Sequence, residues 1–231
     1  MTAIRPPAIT LVTSRRRLSP SARTLGDELD ALEAYLDEAI EAGVDVIQIR
    51  ERDLDARPLV ELTRRVVARA GRTRVIVNER ADVALFGGAA GVQVRAGGVR
   101  SRLLRALDPR WTIGRSVHEG DDMAGASDET DFLLFGSVFD SASKPGAQAA
   151  GLEGLRRVVD AARIPVVAIG GITPARADAC VRAGAQGVAA IGLFLPEGRA
   201  PDALGVRRAV PALRAVLAAS RLAAADESHP R

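Results

Sequence analysis

Short apolar runs alternate with amphipathic segments about eight times along this chain. The runs include AITLVT (8–13), VDVIQIR (44–50), IPVVAIGG (164–171) and GVAAIG (187–192). These runs are continuous rather than alternating, which indicates strands buried on both faces, as in a parallel sheet covered by helices. Eight strand-then-helix units in about 220 residues predict an α/β fold, a single (β/α)8 TIM barrel.

A doubly wound α/β sheet is the competing architecture. It rarely needs eight units and favours a glycine-rich turn after its first strand, whereas the first turn here reads SRRRLSPSART. No linker, internal repeat or low-complexity segment indicates a second domain. We therefore expect one domain over 1–231, with the barrel over about 8–219 and a C-terminal tail over 220–231.

Composition narrows the classes of function. Hydrophobic residues make up 47% of the chain and charged residues 26%, as in an ordinary globular protein. The net charge of +3 comes from scattered arginines, and the basic cluster 15–17 has no neighbouring aromatic residue, so we expect no nucleic-acid partner. A single cysteine, Cys180, and no apolar leader or spanning run predict a cytoplasmic protein without a membrane partner. A homo-oligomer is left open.

Glycines follow the last two predicted strands, where TIM-barrel active sites lie. Gly170 and Gly171 end the seventh apolar run, and Ile191 and Gly192 end the eighth. Bare backbone N–H groups at these ends, with helix N-terminal dipoles, form the common phosphate site of such barrels. The glycines could instead serve only to make tight turns, but their positions favour phosphate binding.

Cationic side chains follow the second predicted strand. Gln48, Arg50 and Arg52 are spaced by two residues, so all three point to one side if the strand continues that far. An arginine that faces a barrel interior is costly without an anionic partner. We favour contact with a ligand over an internal ion pair, for which Glu79 is available.

Two rare residue types mark further candidates. Lys144, the sole lysine, lies beside Ser141 and Ser143 in the loop DSASKPGAQAAG, where an ammonium and two hydroxyls suit a phosphate or carboxylate. His118, one of two histidines, follows the fifth strand beside Ser116. An imidazole titrates near ~6.5, which suits proton exchange. A solvated lysine and an ordinary loop histidine are the alternatives. No second histidine or cysteine lies near, so we expect no metal ligands.

Seven motifs occur in an order that resembles the thiamine phosphate synthase and TenI superfamily: QIRER, VIVNERADVALF, GVQV, IGRSVH, FGSVFDSASKPG, PVVAIGGI and GAQGVAAIG. The resemblance covers roughly residues 8–215 and implies a TIM barrel that acts in thiamine biosynthesis. The synthase branch implies Mg²⁺ held by two aspartates, after the third-strand asparagine and after the fourth strand. The first position is Glu79 here, and the second falls near Gly97, where no carboxylate is present. The synthases' second-strand lysine is Arg52, and their fourth-strand histidine is Gln93.

The TenI-like branch, a group of thiazole tautomerases, resembles this chain more closely in IRER, VQ and GRSVH. Its chemistry needs one acid–base group, a phosphate site and no metal. We therefore expect an isomerase without a cofactor that aromatises a carboxythiazole phosphate, with His118 as the proton shuttle. The alternatives are a thiamine phosphate synthase, which is a transferase using Mg²⁺ with Glu79 as a ligand, and a non-catalytic regulator that binds thiazole phosphate. Expected substrate-binding residues are Gln48, Arg50, Arg52, Asn78, Ser116, Ser141, Ser143 and Lys144, and expected phosphate-binding residues are Gly170, Gly171, Ile191 and Gly192.

Overall fold

Eight parallel strands form a closed barrel in a computed structural model that describes residues 8–141, 146, 148–199 and 203–227. Each strand pairs with its neighbours in sequence, and the pairing of Leu11 with Ala190 closes the barrel. The single TIM barrel predicted from the sequence is thereby confirmed. The strands are β1 (Ala8–Val12), β2 (Val46–Ile49), β3 (Arg74–Asn78), β4 (Gly91–Val94), β5 (Thr112–Val117), β6 (Phe132–Phe135), β7 (Val166–Ile169) and β8 (Gly187–Ala190).

Helices surround the barrel and connect its strands. A 3-10 turn, Gly192–Phe194, follows β8. No helix in the described ranges is long and apolar enough to cross a membrane. The helices are α1 (Arg15–Leu18), α2 (Leu25–Glu41), α3 (Ala56–Arg69), α4 (Ala81–Gly87), α5 (Ser101–Leu107), α6 (Met123–Glu129), α7 (Gly151–Ala161), α8 (Pro174–Arg182) and α9 (Val206–Glu227).

Side chains alternate between two cores along each strand. The larger core lies between strands and helices and includes Ile47 and Cys180, and burial raises the pKa of the Cys180 thiol to about 12. The smaller core fills the barrel interior and includes Val46, Phe132 and Leu134. The continuous apolar runs of the sequence are thus explained, because one half of each run faces inward and the other half faces the helices.

A glycine makes room for the large aromatic side chain inside the barrel. A Cβ atom at Gly114 would overlap the ring of Phe132 and the side-chain oxygen of Gln93. Only hydrogen at this position lets the interior close to native packing density.

Three local elements differ from the sequence-based prediction. The helices α1 and α6 were not predicted, since RRRL is short and MAGASDE carries small polar residues without an apolar stripe. The last helix continues to Glu227, so residues 220–227, which the sequence assigned to the tail, are helical. Alanine has the highest helix propensity, and LAAADE continues the preceding helical segment.

Candidate active site

One cleft, with a volume of about 290 Å³, opens at the carboxyl ends of the strands. Residues on or after all eight strands line it, because these ends meet at one mouth of a closed barrel. Ser143 and Lys144 lie outside the described residues. The predicted residues that line the cleft are Gln48, Arg50, Arg52, Asn78, Ser116, His118, Ser141, Gly170, Gly171, Ile191 and Gly192.

Two glycine-containing turns form the wall of the cleft after β7 and β8. Gly171 has a φ of 61°, and a Cβ atom there would overlap the carbonyl oxygen of Asp140. The glycine is therefore needed for packing as well as for access to the backbone. The N–H groups of Gly171 and Gly192 donate no hydrogen bond to another residue in the described part of the chain. Both amides lie in the cleft wall and are available to an anion.

The wall after β2 carries cationic side chains. Gln48 is buried, and its amide nitrogen donates to the side-chain oxygen of Asn78 at 3.2 Å. The backbone N–H of Arg50 donates to Thr13 Oγ1 at 2.9 Å, which fixes the start of this loop. Burial, and next the charge of Arg52, lower the pKa of the Arg50 guanidinium. Within the described residues this guanidinium forms no hydrogen bond or salt bridge.

The wall after β3 and β4 holds an ion pair. Glu79 Oε1 lies 3.3 Å from Nε of Arg95, and both residues line the cleft. Glu79 has a φ of 59°, in the left-handed region that non-glycine residues rarely adopt. The sequence offered Glu79 as an internal partner for an arginine of β2, and the structure pairs it with Arg95 instead.

His118 lies at the rim of the cleft after β5. Its side chain is 57% exposed, and its Nδ1 lies 3.7 Å from Asp121. The backbone N–H of His118 donates to the same carboxylate at 2.8 Å. Nearby, the buried Gln93 donates to Ser116 Oγ at 3.1 Å. His118 thus lines the same mouth as the glycine turns, and within the described residues no short hydrogen bond holds its imidazole.

A buried arginine anchors the loop after β1. Arg15 is 3% exposed and contacts Glu28 at 2.6 Å, Glu51 at 3.0 Å and Asp53 at 2.6 Å. Its hydrogen bond lowers the pKa of the Asp53 carboxyl to about 2, whereas burial raises the pKa of Glu51. This network joins α1 to the loop after β2, and α1 carries Arg17, which lines the cleft.

Sequence reasoning missed four polar residues of the cleft: Arg17, Arg95, Ser137 and Asp140. Arg95 directly follows β4, so its position at a strand end was a usable signal. Arg17 offered no comparable signal, because its position in the cleft depends on the ion pairs by which Arg15 anchors the loop after β1. In the described residues, no three or more histidine, cysteine, aspartate or glutamate side chains are grouped to hold a metal ion.

Comparison with known proteins identifies relatives of this chain. A family model described as thiamine monophosphate synthase matches residues 22–194. A thiamine-phosphate synthase of Pyrococcus furiosus is 32% identical over 89% of this chain and 93% of its own length. One from Moorella thermoacetica is 39% identical over 74% of this chain and 82% of its own length. A solved structure, thiamine phosphate pyrophosphorylase from Pyrococcus furiosus, superimposes with a TM-score of 0.75 at 30% identity, covering 92% of this chain and 96% of that one.

These relatives correct the expected activity. The prediction of a thiazole tautomerase, and with it of an isomerase, is wrong, because relatives at 32–39% identity are named as synthases, which are transferases. The comparisons support the alternative that the sequence had left in second place. The match of the family model over most of the chain shows that this protein belongs to the thiamine monophosphate synthase family.

Proposed function

We propose that the chain is a thiamine phosphate synthase, a transferase that joins hydroxymethylpyrimidine diphosphate to thiazole phosphate and releases pyrophosphate. One observation carries this proposal: a single cleft offers two separate groups of anion-binding donors. Amides after β7 and β8 form one group, and guanidinium groups after β2 and β4 form the other. A reaction between two phosphorylated substrates uses both groups, whereas the isomerisation of one such substrate uses only one.

The two groups of donors lie on different sides of the mouth. In the closed order of eight strands, β4 lies across from β8, and β2 is separated from β8 by β1. We assign the thiazole phosphate to the amides of Gly171 and Gly192, with Gly170 and Ile191 shaping the same wall. The diphosphate is assigned to Arg50 and Arg52.

The aromatic rings of the two substrates would occupy the space between these groups. Val12 and Leu134 line the cleft and belong to the inner core, so they give the cleft an apolar floor. The hydrogen-bonded pair of Gln48 and Asn78 presents amide groups that can bind the polar edge of a pyrimidine. A mostly apolar pocket with a few placed polar groups is typical of small-molecule sites.

The reaction explains why fixed positive charge is needed. The bond between the pyrimidine methylene carbon and the diphosphate oxygen breaks, and its electron pair leaves with pyrophosphate. The thiazole nitrogen supplies the electron pair of the new C–N bond. Negative charge therefore develops on the diphosphate, where preorganised guanidinium groups stabilise it. The thiazole nitrogen carries no hydrogen, so no proton has to move there, and His118 is assigned to the cleft wall.

A product assay tests this function. Purified protein is incubated with both substrates, in parallel with Mg²⁺ and with a chelator, and thiamine phosphate is measured by chromatography. We expect thiamine phosphate when both substrates are present and none when either is omitted. Absence of product in every condition would refute the transferase.

A further inference from the structure

The charge of the cleft does not suit the magnesium site that synthase resemblance implies. That resemblance implies acidic metal ligands after β3 and after β4. Glu79 follows β3, but residues 95–107 after β4 contain no carboxylate. In the described ranges, no group of three or more metal-ligating side chains is present.

The carboxylate of Glu79 is already compensated by cations. Its Oε1 lies 3.3 Å from Nε of Arg95, and its charge partly offsets the lowering of the Arg50 pKa by burial and by Arg52. A divalent cation at Glu79 would have to compete with the guanidinium of Arg95. Magnesium sites in proteins use carboxylates together with substrate phosphates, and here the available carboxylate is paired with arginine.

The cleft as a whole carries an excess of positive charge. Among the described residues, the lining includes the four arginines Arg17, Arg50, Arg52 and Arg95 and the two carboxylates Glu79 and Asp140, a net charge of +2. Arg50 is half-buried and its guanidinium forms no hydrogen bond or salt bridge in the described residues, which is costly unless a ligand supplies an anion. A polyanion compensates this excess, whereas Mg²⁺ adds to it.

The position of Arg95 allows its guanidinium to bind an anion directly. Its contact with Glu79 uses Nε, and its two terminal nitrogens form no hydrogen bond or ion pair in the described part of the chain. The side chain is 74% exposed at the edge of the cleft. A guanidinium that is held at Nε and free at both terminal nitrogens can bind a phosphate group in bidentate fashion.

We propose that this cleft binds the diphosphate without a divalent cation, with Arg95, held by Glu79, supplying the positive charge that a metal ion would otherwise bring. The identity of the anion as a diphosphate rests on the proposed function. Arg50 and Arg52 bind the same group from the β2 side. Arg95 is thus a specificity-determining residue of this chain.

Binding of inorganic pyrophosphate, measured by isothermal titration calorimetry, tests the proposal apart from catalysis. We expect the full-length protein to bind pyrophosphate in the presence of a chelator, and Mg²⁺ to tighten binding by less than about threefold. Arg95→Ala should weaken binding in chelator by about tenfold or more, and Arg95→Lys should restore part of the loss. Arg102→Ala removes an exposed arginine that does not line the cleft, and this control should bind like the wild type.

Each outcome separates the inference from the proposed function. Pyrophosphate binding that requires Mg²⁺, or Arg95→Ala binding as tightly as the wild type, would overturn the inference. Thiamine phosphate formation together with pyrophosphate binding that requires Mg²⁺ would keep the transferase and overturn the metal-free anion site. Metal-free binding of pyrophosphate without product formation would refute the transferase and keep the anion site.

Discussion

The guanidinium of Arg50 forms no hydrogen bond or salt bridge within the described residues. We expect Arg50→Ala to lower kcat/KM for thiamine phosphate formation by about 10²–10³-fold, because a fixed cation at a developing charge contributes on that order. Removing a half-buried unpaired charge should leave the free energy of unfolding unchanged or raise it slightly. Steady-state kinetics and urea denaturation measure the two effects, with Arg102→Ala as the matched control. A variant that loses stability and keeps its activity would show that Arg50 serves the fold.

His118 lines the same cleft, but the proposed reaction gives it no proton to move. Its side chain is 57% exposed, with Asp121 no closer than 3.7 Å. We therefore expect His118→Ala to lower kcat/KM by less than about tenfold, short of the 10²–10⁴-fold typical of a general acid or base. The pH profile of kcat/KM is the second measurement. Loss of an ionisation near neutral pH in the variant would restore His118 to the chemistry.

Gly171 combines a positive φ with a crowded backbone contact. Alanine there must adopt a φ of 61° and displace the carbonyl of Asp140, so we expect a loss of about 1–3 kcal/mol in unfolding free energy. The KM for thiazole phosphate should also rise, because the free amide moves. Gly43→Ala is the control, since Gly43 also has a positive φ, of 84°, but open space around its Cβ position. Equal effects of both substitutions on KM would remove Gly171 from the phosphate site.

The polar residues of the cleft were predictable where they end a strand. Gln48, Arg50 and Gly171 were found because buried parallel strands must all deliver their carboxyl ends to one mouth. Arg17 and Asp140 were missed, because each enters the cleft from a loop whose path depends on tertiary contacts. Ser143 and Lys144 stay predictions.

The short helix α1 depends on a buried charge network rather than on its own sequence. Arg15→Ala would leave Glu51, whose side chain is 4% exposed, without its cation. We expect a loss of roughly 3–5 kcal/mol in unfolding free energy, measured by chemical denaturation. Arg16→Ala, which removes a neighbouring arginine whose side chain is 69% exposed, should cost less than about 1 kcal/mol. Similar losses for both variants would contradict a specific role for Arg15.

The same network predicts how stability depends on pH. Arg15 holds the pKa of Asp53 at about 2, below its ordinary value of 3.8. A carboxyl whose pKa is depressed in the folded state stabilises the protein above its unfolded pKa, and this contribution is lost as pH falls through the folded value. The stability difference between the wild type and Arg15→Ala should therefore narrow between about pH 4 and pH 2. A difference that stays constant over this range would contradict the assigned ion pair.

Sequence analysis missed the elements whose stability depends on contacts with the rest of the protein. The four residues of α1 are too few for a helix to be stable alone, and α6 has no apolar stripe. The longer helices, such as α3 and α7, were predicted because each buries a periodic apolar face.

The barrel was predictable because apolar runs alternate with amphipathic segments along the whole chain. Eight buried runs separated by helices leave few ways to cover both faces of every strand, and closure is the one that leaves no sheet edge. The activity was harder to predict, because the resemblance implies that tautomerases and synthases share this scaffold and differ at a few positions. Sequence analysis favoured His118 as a proton shuttle, whereas two groups of anion-binding donors in one cleft and the relatives favour the transferase.

The central claim is that one cleft holds two anion sites and joins the substrates bound there. The most direct test is the ratio of thiamine phosphate to pyrophosphate. In a reaction with both substrates, thiamine phosphate and pyrophosphate are quantified from the same samples over time. A transferase predicts one pyrophosphate for each thiamine phosphate, with both products formed about 10²–10³-fold more slowly by Arg50→Ala. Pyrophosphate release without thiamine phosphate, or no release of either, would contradict the account.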